Sequence, residues 1–414
     1  MSFSYKNKFL FAEEISVQAL VEQHGSPLYI YSQQAILDAY AQFSRSLSGT
    51  AHHIHYAVKA NPNLAILSVM NQLGAGFDIV SGGELARVLE IGASPQKILF
   101  SGVAKSHEEI AFALEKSIGC FQVESWPELE RIQAIAARLN TTAPIAFRVN
   151  PDIAIDSHPY ISTGLRDNKF GVPIEEALEF YLQAASLPHI NPIGIACHIG
   201  SNIDVLTPFE QALDKLFDLF IKLTEQGLSI QYINLGGGLG LKTPIQAYGE
   251  TIRRRIQQFK QSHPAQPNWE LMIEPGRALI AQAGILVTKV EYLKTMGEKN
   301  FCIVDTGMHH LIRPVLYDAY HEIVPVYQKN QKFSQLYDVV GPICETGDCL
   351  GKQRVLSVSP GDYLAVLTTG AYGMSMASHY NSRPLPIEIL VHHDKYRIIR
   401  SKESYADLFT RENR

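Results

Sequence analysis

The chain has little of several things, and each shortage removes a class of protein. Five cysteines in 414 residues, Cys120, Cys197, Cys302, Cys344 and Cys349, form an odd and scattered set. They suit reduced thiols in the cytoplasm better than a disulfide framework. Cys344-x4-Cys349 has no second pair or histidine cluster beside it, so no metal site is expected. No run approaches the ~18 apolar residues of a membrane span. The first residues, Met1-Ser2-Phe3-Ser4-Tyr5-Lys6, lack the basic segment and apolar core of an export signal. Basic blocks are missing too, and a net charge of −5 gives no electrostatic footing for nucleic acid or anionic lipid. What is there is an ordinary globular composition, 46% hydrophobic and 19% charged, long enough for two domains and suited to a small-molecule partner.

From about residue 51 the pattern alternates between β-prone apolar runs and stretches of helical period. Candidate strands begin near Ile54, Gly76, Ile98, Cys120, Ile145, Ile193, Tyr232 and Leu271, and the first four starts are 22 residues apart. Ser106-x-x-Glu109, Ser125-x-x-Glu128 and Thr207-x-x-Glu210 read as capping boxes, the last with Pro208 at the first helical position. Later units are longer, with an insertion from Asp156 to Gly171. Eight strand-helix units predict an α/β fold, a closed (β/α)8 TIM-type barrel over residues 35–275. A doubly wound open sheet is the alternative, but its Gly-rich turn belongs after an early strand, and the glycine cluster here follows the seventh. After Gly276 the texture changes to short β-prone runs such as Phe301-Cys302-Ile303-Val304 and Tyr363-Leu364-Ala365-Val366, with a helical pattern only around Leu311 to Tyr320. Residues 276–414 read as a separate, mainly β domain, a barrel or sandwich, joined by residues 1–34 through the early run Pro27-Leu28-Tyr29-Ile30-Tyr31.

In such a barrel chemistry gathers where strands end. Those positions hold Lys59, Asp78, Arg148, His198, Gly236-Gly237-Gly238 and Glu274. A lysine among apolar neighbours loses part of its preference for the charged form and can form a Schiff base; alone, it would read as a solvated surface charge. Consecutive glycines let backbone N–H groups approach an anion, and the loops after strands seven and eight are the usual phosphate site of this fold. A lone glycine cluster is otherwise a plain turn. Lysine, phosphate cradle and carboxylate in one barrel mouth describe pyridoxal phosphate, with Glu274 keeping the pyridine nitrogen protonated. The plain reading of Glu274 is a capping or salt-bridged acid. His198 would lie flat against the ring and Ser201 would reach the phosphate; a lone histidine otherwise reads as a satisfied core residue.

Several segments then carry a resemblance: Tyr56-Ala57-Val58-Lys59-Ala60-Asn61, Gly76-Phe77-Asp78-Ile79-Val80-Ser81, His158-Pro159-Tyr160-Ile161-Ser162-Thr163-Gly164-Leu165, Asn168-Lys169-Phe170-Gly171, His198-Ile199-Gly200-Ser201, Glu274-Pro275-Gly276-Arg277, Cys344-Glu345-Thr346-Gly347-Asp348 and Gly370-Ala371-Tyr372-Gly373. Over nearly its full length the chain resembles the diaminopimelate decarboxylases of the alanine-racemase-type pyridoxal phosphate barrel family. The resemblance implies a Schiff base on Lys59, phosphate contacts from Ser201, Gly236, Gly237, Gly238, Gly276 and Tyr372, and cofactor contacts from Asp78, His198, Glu274 and Arg277. It also implies an obligate homodimer with shared sites, Cys344 and Glu345 entering from the neighbouring chain. Asp305-Thr306-Gly307-Met308-His309-His310 departs from the family pattern, so His309 and His310 receive no role.

The substrate so implied, meso-diaminopimelate, carries an amino acid group at each end. Its distal carboxylate needs planar bidentate donors, which Arg277 and Arg313 can supply, with Tyr317 adding a hydroxyl and Tyr372 also assigned to the substrate. Its distal ammonium needs an acceptor, Glu345. A decarboxylase of ornithine, arginine or lysine has no use for those arginines, and the mismatch is worth roughly 10⁴-fold. Cys344 is the expected proton donor to Cα, and lysine and CO2 are the expected products. A decarboxylase of a related basic amino acid or of carboxynorspermidine, and a non-catalytic protein that merely carries the cofactor, remain as alternatives.

Overall fold

The computed structural model describes residues 2–154, 169–329 and 334–413. These form two compact units, one of residues 39–278 and one of residues 1–38 with 279–414. The first holds the repeating strands and helices: β1 His52–Ala57, α1 Leu64–Gln72, β2 Gly76–Ile79, α2 Gly82–Glu90, β3 Ile98–Phe100, α3 His107–Glu115, β4 Cys120–Val123, α4 Trp126–Arg138, β5 Ala143–Asn150, α5 Ile174–Ala185, β6 Ile190–Cys197, α6 Thr207–Glu225, β7 Tyr232–Asn234, α7 Ile245–Ser262 and β8 Glu270–Ile273. Every neighbouring pair is parallel, and β8 returns to β1 with Leu271 opposite His52. The eight strands therefore close into a TIM-type barrel. Phe43 and Ser46, in the helix Gln33–Ser46, pack on Tyr248 and Gly249 of α7 and supply the missing eighth helix.

The barrel closes because its interior is filled by unequal side chains. Tyr232 shares one layer with Leu99, Cys120, Ala146 and Ala196, and the three small residues leave room for the one large ring. Gly194 belongs to the same fit, since a Cβ there would fall on the Tyr232 ring. At Gly76 a Cβ would fall on the His55 imidazole.

The helix starts agree with the sequence reading only in part. Ser106 and Glu109 form the reciprocal capping box at α3. Ser125 caps nothing with its side chain, because Glu128 is drawn to the buried ammonium of Lys105 at 2.7 Å. The box at Thr207 is absent as well: α6 is preceded by Leu206, Thr207 is its first residue, and Pro208 stands at the second position.

The second unit is mainly β. Its strand Leu28–Ser32 lies between Gly284–Met296, which it meets antiparallel at residues 284–287, and Ile387–His392, which it meets parallel. Leu28, Ile30, Ile285, Val287, Ile389 and Val391 bury one shared face. One early strand thus completes a sheet built mostly from the chain's last ones, while Phe3–Lys6, Phe9–Ala12 and Ile15–Ser16 form a small sheet of their own. Farther out, Lys299–Val304 pairs with Gln335–Val340, which turns through residues 341–348 into Cys349–Leu356. The helical pattern near Leu311 shortens to Arg313–Tyr317, where Asp318 adopts a left-handed cap.

Candidate active site

The barrel mouth is lined by residues at or near the ends of all eight strands. Lys59 sits in a single 3-10 turn, Val58–Ala60, directly after β1. Its Nζ lies 3.1 Å from Oδ2 of Asp78, which is fully buried in β2, and the Ser101 hydroxyl after β3 donates to Asp78 Oδ1. Lys59 keeps 39% of its side chain exposed, so the amine is reachable while its position is fixed by an acid that cannot move.

Glu274, after β8, is buried and held by two amides. Asn234 Nδ2 donates to its Oε1 at 2.6 Å, and Gln122 Nε2 donates to the same oxygen. Both donors take Oε1, which leaves Oε2 to accept from a group entering the mouth. Burial pushes this carboxyl up to about 7, the negative charge of Asp78 adds to the rise, and Lys59, Gln122 and Asn234 act against it.

The glycine loop is shaped by close approach. Gly236 N–H donates to Asn234 Oδ1 at 2.8 Å, and Gly237 N–H to His198 Nδ1 at 3.1 Å. A Cβ at Gly236, Gly237 or Gly238 would fall on the carbonyl oxygen of Cys197, Glu274 or Gly200 respectively. Gly236 and Gly238 also hold φ of 72° and 105°, a region that disfavours any side chain. Because His198 Nδ1 accepts the hydrogen bond from Gly237 N–H, the neutral ring carries its own proton on Nε2. Burial holds the His198 pKa well below its ordinary value, with Arg148 and Lys59 adding to the depression. Ser201 lies near the start of the loop after β6, and Arg277 Nη2 donates to its Oγ at 3.2 Å. Gly276 and Arg277 are buried beyond β8.

Arg148 in β5 pairs with Glu124 at 2.9 Å, reaches the His198 carbonyl, and stacks over Phe170 at 4.7 Å. Glu124 also accepts from Gly171 N–H at 2.8 Å. Lys59, Ser101, Lys105, Arg148, Phe170 and His198 line one cavity of about 410 Å³. The barrel unit therefore brings together Lys59, Asp78, His198, Ser201, Gly236, Gly237, Gly238, Glu274, Gly276 and Arg277.

The other sequence-predicted residues lie in the second unit. The guanidinium of buried Arg313 lies 5.3 Å from the Tyr317 ring and 5.7 Å from the Tyr372 ring, so two aromatic faces clamp it. Tyr372 has φ of 56°. Cys344 and Glu345 stand exposed on the 341–348 turn, and Cys344 is a free thiol. The segment His158–Leu165 and Asn168 lie outside the described residues.

Ser101, Gln122, Glu124 and Asn234 were not singled out from the sequence. A signal was available for three of them: Gln122 and Asn234 are lone polar residues inside buried apolar strands, and Glu124 follows β4 directly. Such placements are costly without a partner.

Residues 33–281 match the family model for the pyridoxal-binding domain of pyridoxal-dependent decarboxylases. The chain is 47% identical to the diaminopimelate decarboxylase of Haemophilus influenzae, with 99% of each chain covered. Among solved structures, the Helicobacter pylori diaminopimelate decarboxylase complexed with L-lysine superposes with a TM-score of 0.89 at 39% identity, covering 95% of this chain and 98% of that one. The M. jannaschii enzyme, also with L-lysine, gives 0.93 at 35% identity, covering 100% and 98%.

Proposed function

The chain belongs to the pyridoxal-dependent decarboxylases, and on that premise we propose that it decarboxylates meso-2,6-diaminopimelate to L-lysine and CO2. The observation that carries the substrate is identity spread over the whole length of decarboxylases named for it. The cofactor is pyridoxal phosphate, and the barrel mouth fits it by its own geometry: a reachable amine beside a buried acid, a glycine cradle closed to side chains, and a buried carboxyl with one free oxygen.

When bound, pyridoxal phosphate supplies a cationic ring that accepts the electron pair left as the Cα–carboxylate bond breaks. Lys59 would anchor the cofactor's aldehyde through its amine, which Asp78 keeps in place. Glu274 Oε2 would hold the ring nitrogen's proton, while the amides on Oε1 fix the carboxyl's orientation. His198, neutral and held by Gly237, would support the ring. Ser201, Gly236, Gly237, Gly238, Gly276 and Tyr372 would bind the phosphate.

Arg277, Arg313, Tyr317 and Tyr372 hold the substrate's distal carboxylate, and Glu345 its distal ammonium. Cys344 Sγ delivers the proton that replaces the lost carboxylate on Cα. The exposure of Cys344 and Glu345 supports an active homodimer in which each chain lends these two residues to its neighbour. Five unpaired cysteines support placing the enzyme in the cytoplasm.

Incubation of the purified enzyme with meso-diaminopimelate, ornithine, arginine and lysine in parallel tests the reading. Lysine formation from the first alone is expected. CO2 release from another member of the series, and none from the first, would replace the substrate.

A further inference from the structure

The 341–348 turn carries two exposed functional side chains, and exposed turns ordinarily wander. This one is pinned on two sides. From within, Asp348 accepts from Met308 N–H at 2.6 Å and from Ile343 N–H at 2.7 Å, and Asp348 is itself buried. From outside, a neighbouring segment does the holding. Tyr380 Oη donates to Glu345 Oε1 at 2.5 Å, and Cys344 N–H donates to Asn381 Oδ1 at 3.2 Å. Adjacent residues of one segment thus fix adjacent residues of the other, a carboxylate in one case and a backbone in the other.

The holding segment is itself held in an unfavoured shape. Asn381 and Ser382 have φ of 56° and 51°, two consecutive side-chain-bearing residues in the left-handed region. That conformation costs on the order of 1 kcal/mol per residue, least for asparagine. It also leads directly from the Tyr380 hydroxyl to the Asn381 amide, the two groups that meet the turn. The segment is tied down behind as well: Leu385 N–H donates to Glu403 at 2.7 Å, and the His379 ring meets the same carboxylate at 2.8 Å. Glu345 in turn holds the Tyr380 hydroxyl protonated above the ordinary phenol range.

We propose that Tyr380 and Asn381 are positioning residues for the decarboxylation: Tyr380 aims the Glu345 carboxylate at the substrate's distal ammonium, and Asn381 sets the backbone from which the Cys344 thiol reaches Cα. The inference rests on the roles of Glu345 and Cys344 proposed above. It divides the two functions between two hydrogen bonds. Loss of the Tyr380 hydroxyl frees a carboxylate that binds substrate, so its effect falls on KM. Loss of the Asn381 acceptor displaces the proton donor, so its effect falls on kcat.

The test is steady-state kinetics with meso-diaminopimelate on pyridoxal-phosphate-loaded Tyr380→Phe, Glu345→Gln, their double variant, Asn381→Gly and Asn381→Asp. Tyr380→Phe is expected to raise KM about tenfold with kcat within about twofold, and the double variant to be little worse than Glu345→Gln. Asn381→Gly keeps the left-handed backbone but loses the acceptor, and should lower kcat about tenfold; Asn381→Asp, which keeps the acceptor, should restore it. Multiplying effects of Tyr380→Phe and Glu345→Gln, or a normal kcat in Asn381→Gly, would overturn the positioning roles. A normal KM in Glu345→Gln instead removes the underlying assignment of Glu345, and the aiming role of Tyr380 with it.

Discussion

Replacing Glu274 by glutamine should abolish a titration near neutrality, and the size of the effect follows from the site. The carboxyl is pushed from its ordinary 4.5 up to about 7, with burial the largest cause. At ~1.36 kcal/mol per pH unit, that gap is worth roughly 3 kcal/mol. The sign is fixed by proton occupancy. Between pH 4.5 and about 7 the folded chain holds this proton more tightly than the unfolded chain does. The group's contribution to stability is therefore fully present below 4.5 and lost as pH rises through about 7. Both tryptophans, Trp126 and Trp269, lie in the barrel unit, so their fluorescence during urea unfolding reports that unit alone. In cofactor-free protein, the stability difference between wild type and Glu274→Gln should change by roughly 3 kcal/mol from pH 4.5 to 8. Titrating groups away from the barrel mouth cancel in that difference. Infrared spectra should show a protonated-carboxyl band in the wild type at pH 6, where about nine in ten such groups hold a proton, and lose it in the variant. A flat difference profile would mean that the Glu274 carboxyl titrates in the folded chain as it does in the unfolded one, and the account of its burial would fail. Loaded with cofactor, the variant should turn over more slowly, because an amide cannot keep the ring nitrogen protonated.

Other predictions bear on the same framework. Lys105→Met should cost the barrel about 3–5 kcal/mol by stranding the mostly buried Glu128 carboxylate, and adding Glu128→Gln should recover part of it; a double variant as unstable as the sum would show that the pair is not coupled. Burial pushes His55 and His310 down to about 3, so each group's contribution is fully present above pH 6.5 and lost as pH falls toward that value. At pH 5.5 each should cost about 1.4 kcal/mol, and His55→Gln should flatten the acid limb of a stability profile; an unaltered slope would refute the burial argument. Gly237→Ala places a methyl on the Glu274 carbonyl and should weaken cofactor affinity about tenfold by equilibrium titration, and an unchanged affinity would remove the loop from the phosphate site. Cys344→Ala should bind cofactor normally while kcat falls about 10²- to 10⁴-fold; an unchanged rate would take Cys344 out of the reaction.

The barrel was legible because its strands are short apolar runs at a regular pace, and a 22-residue spacing leaves room for one strand, one helix and two tight turns. Caps were less so. Ser125 and Glu128 have the right spacing, yet Lys105, 23 residues earlier in the chain, claims the acid; a three-dimensional neighbour overrode a local pattern. Lys59, Asp78 and Glu274 could be picked out as polar residues at strand ends. Their supports, Ser101, Gln122 and Asn234, could not, since which amide meets which carboxylate depends on strands that are distant in sequence. Cys344 and Glu345 sit in a turn with no periodicity to mark them, and only resemblance pointed there.

The strand Leu28–Ser32 has an awkward life during synthesis. When residue 278, the last of the barrel unit, has just been added, both partners of that strand, residues 284–287 and 387–391, are still unmade. Leu28, Tyr29, Ile30 and Tyr31, wholly buried at the end, must therefore wait through more than 250 further residues for one partner and more than 350 for the other, with bare hydrogen-bonding edges and oily faces. A nascent chain stalled after the barrel has cleared the ribosome but before residue 387 is made should carry that strand with one edge still bare, a species on which chaperones would act.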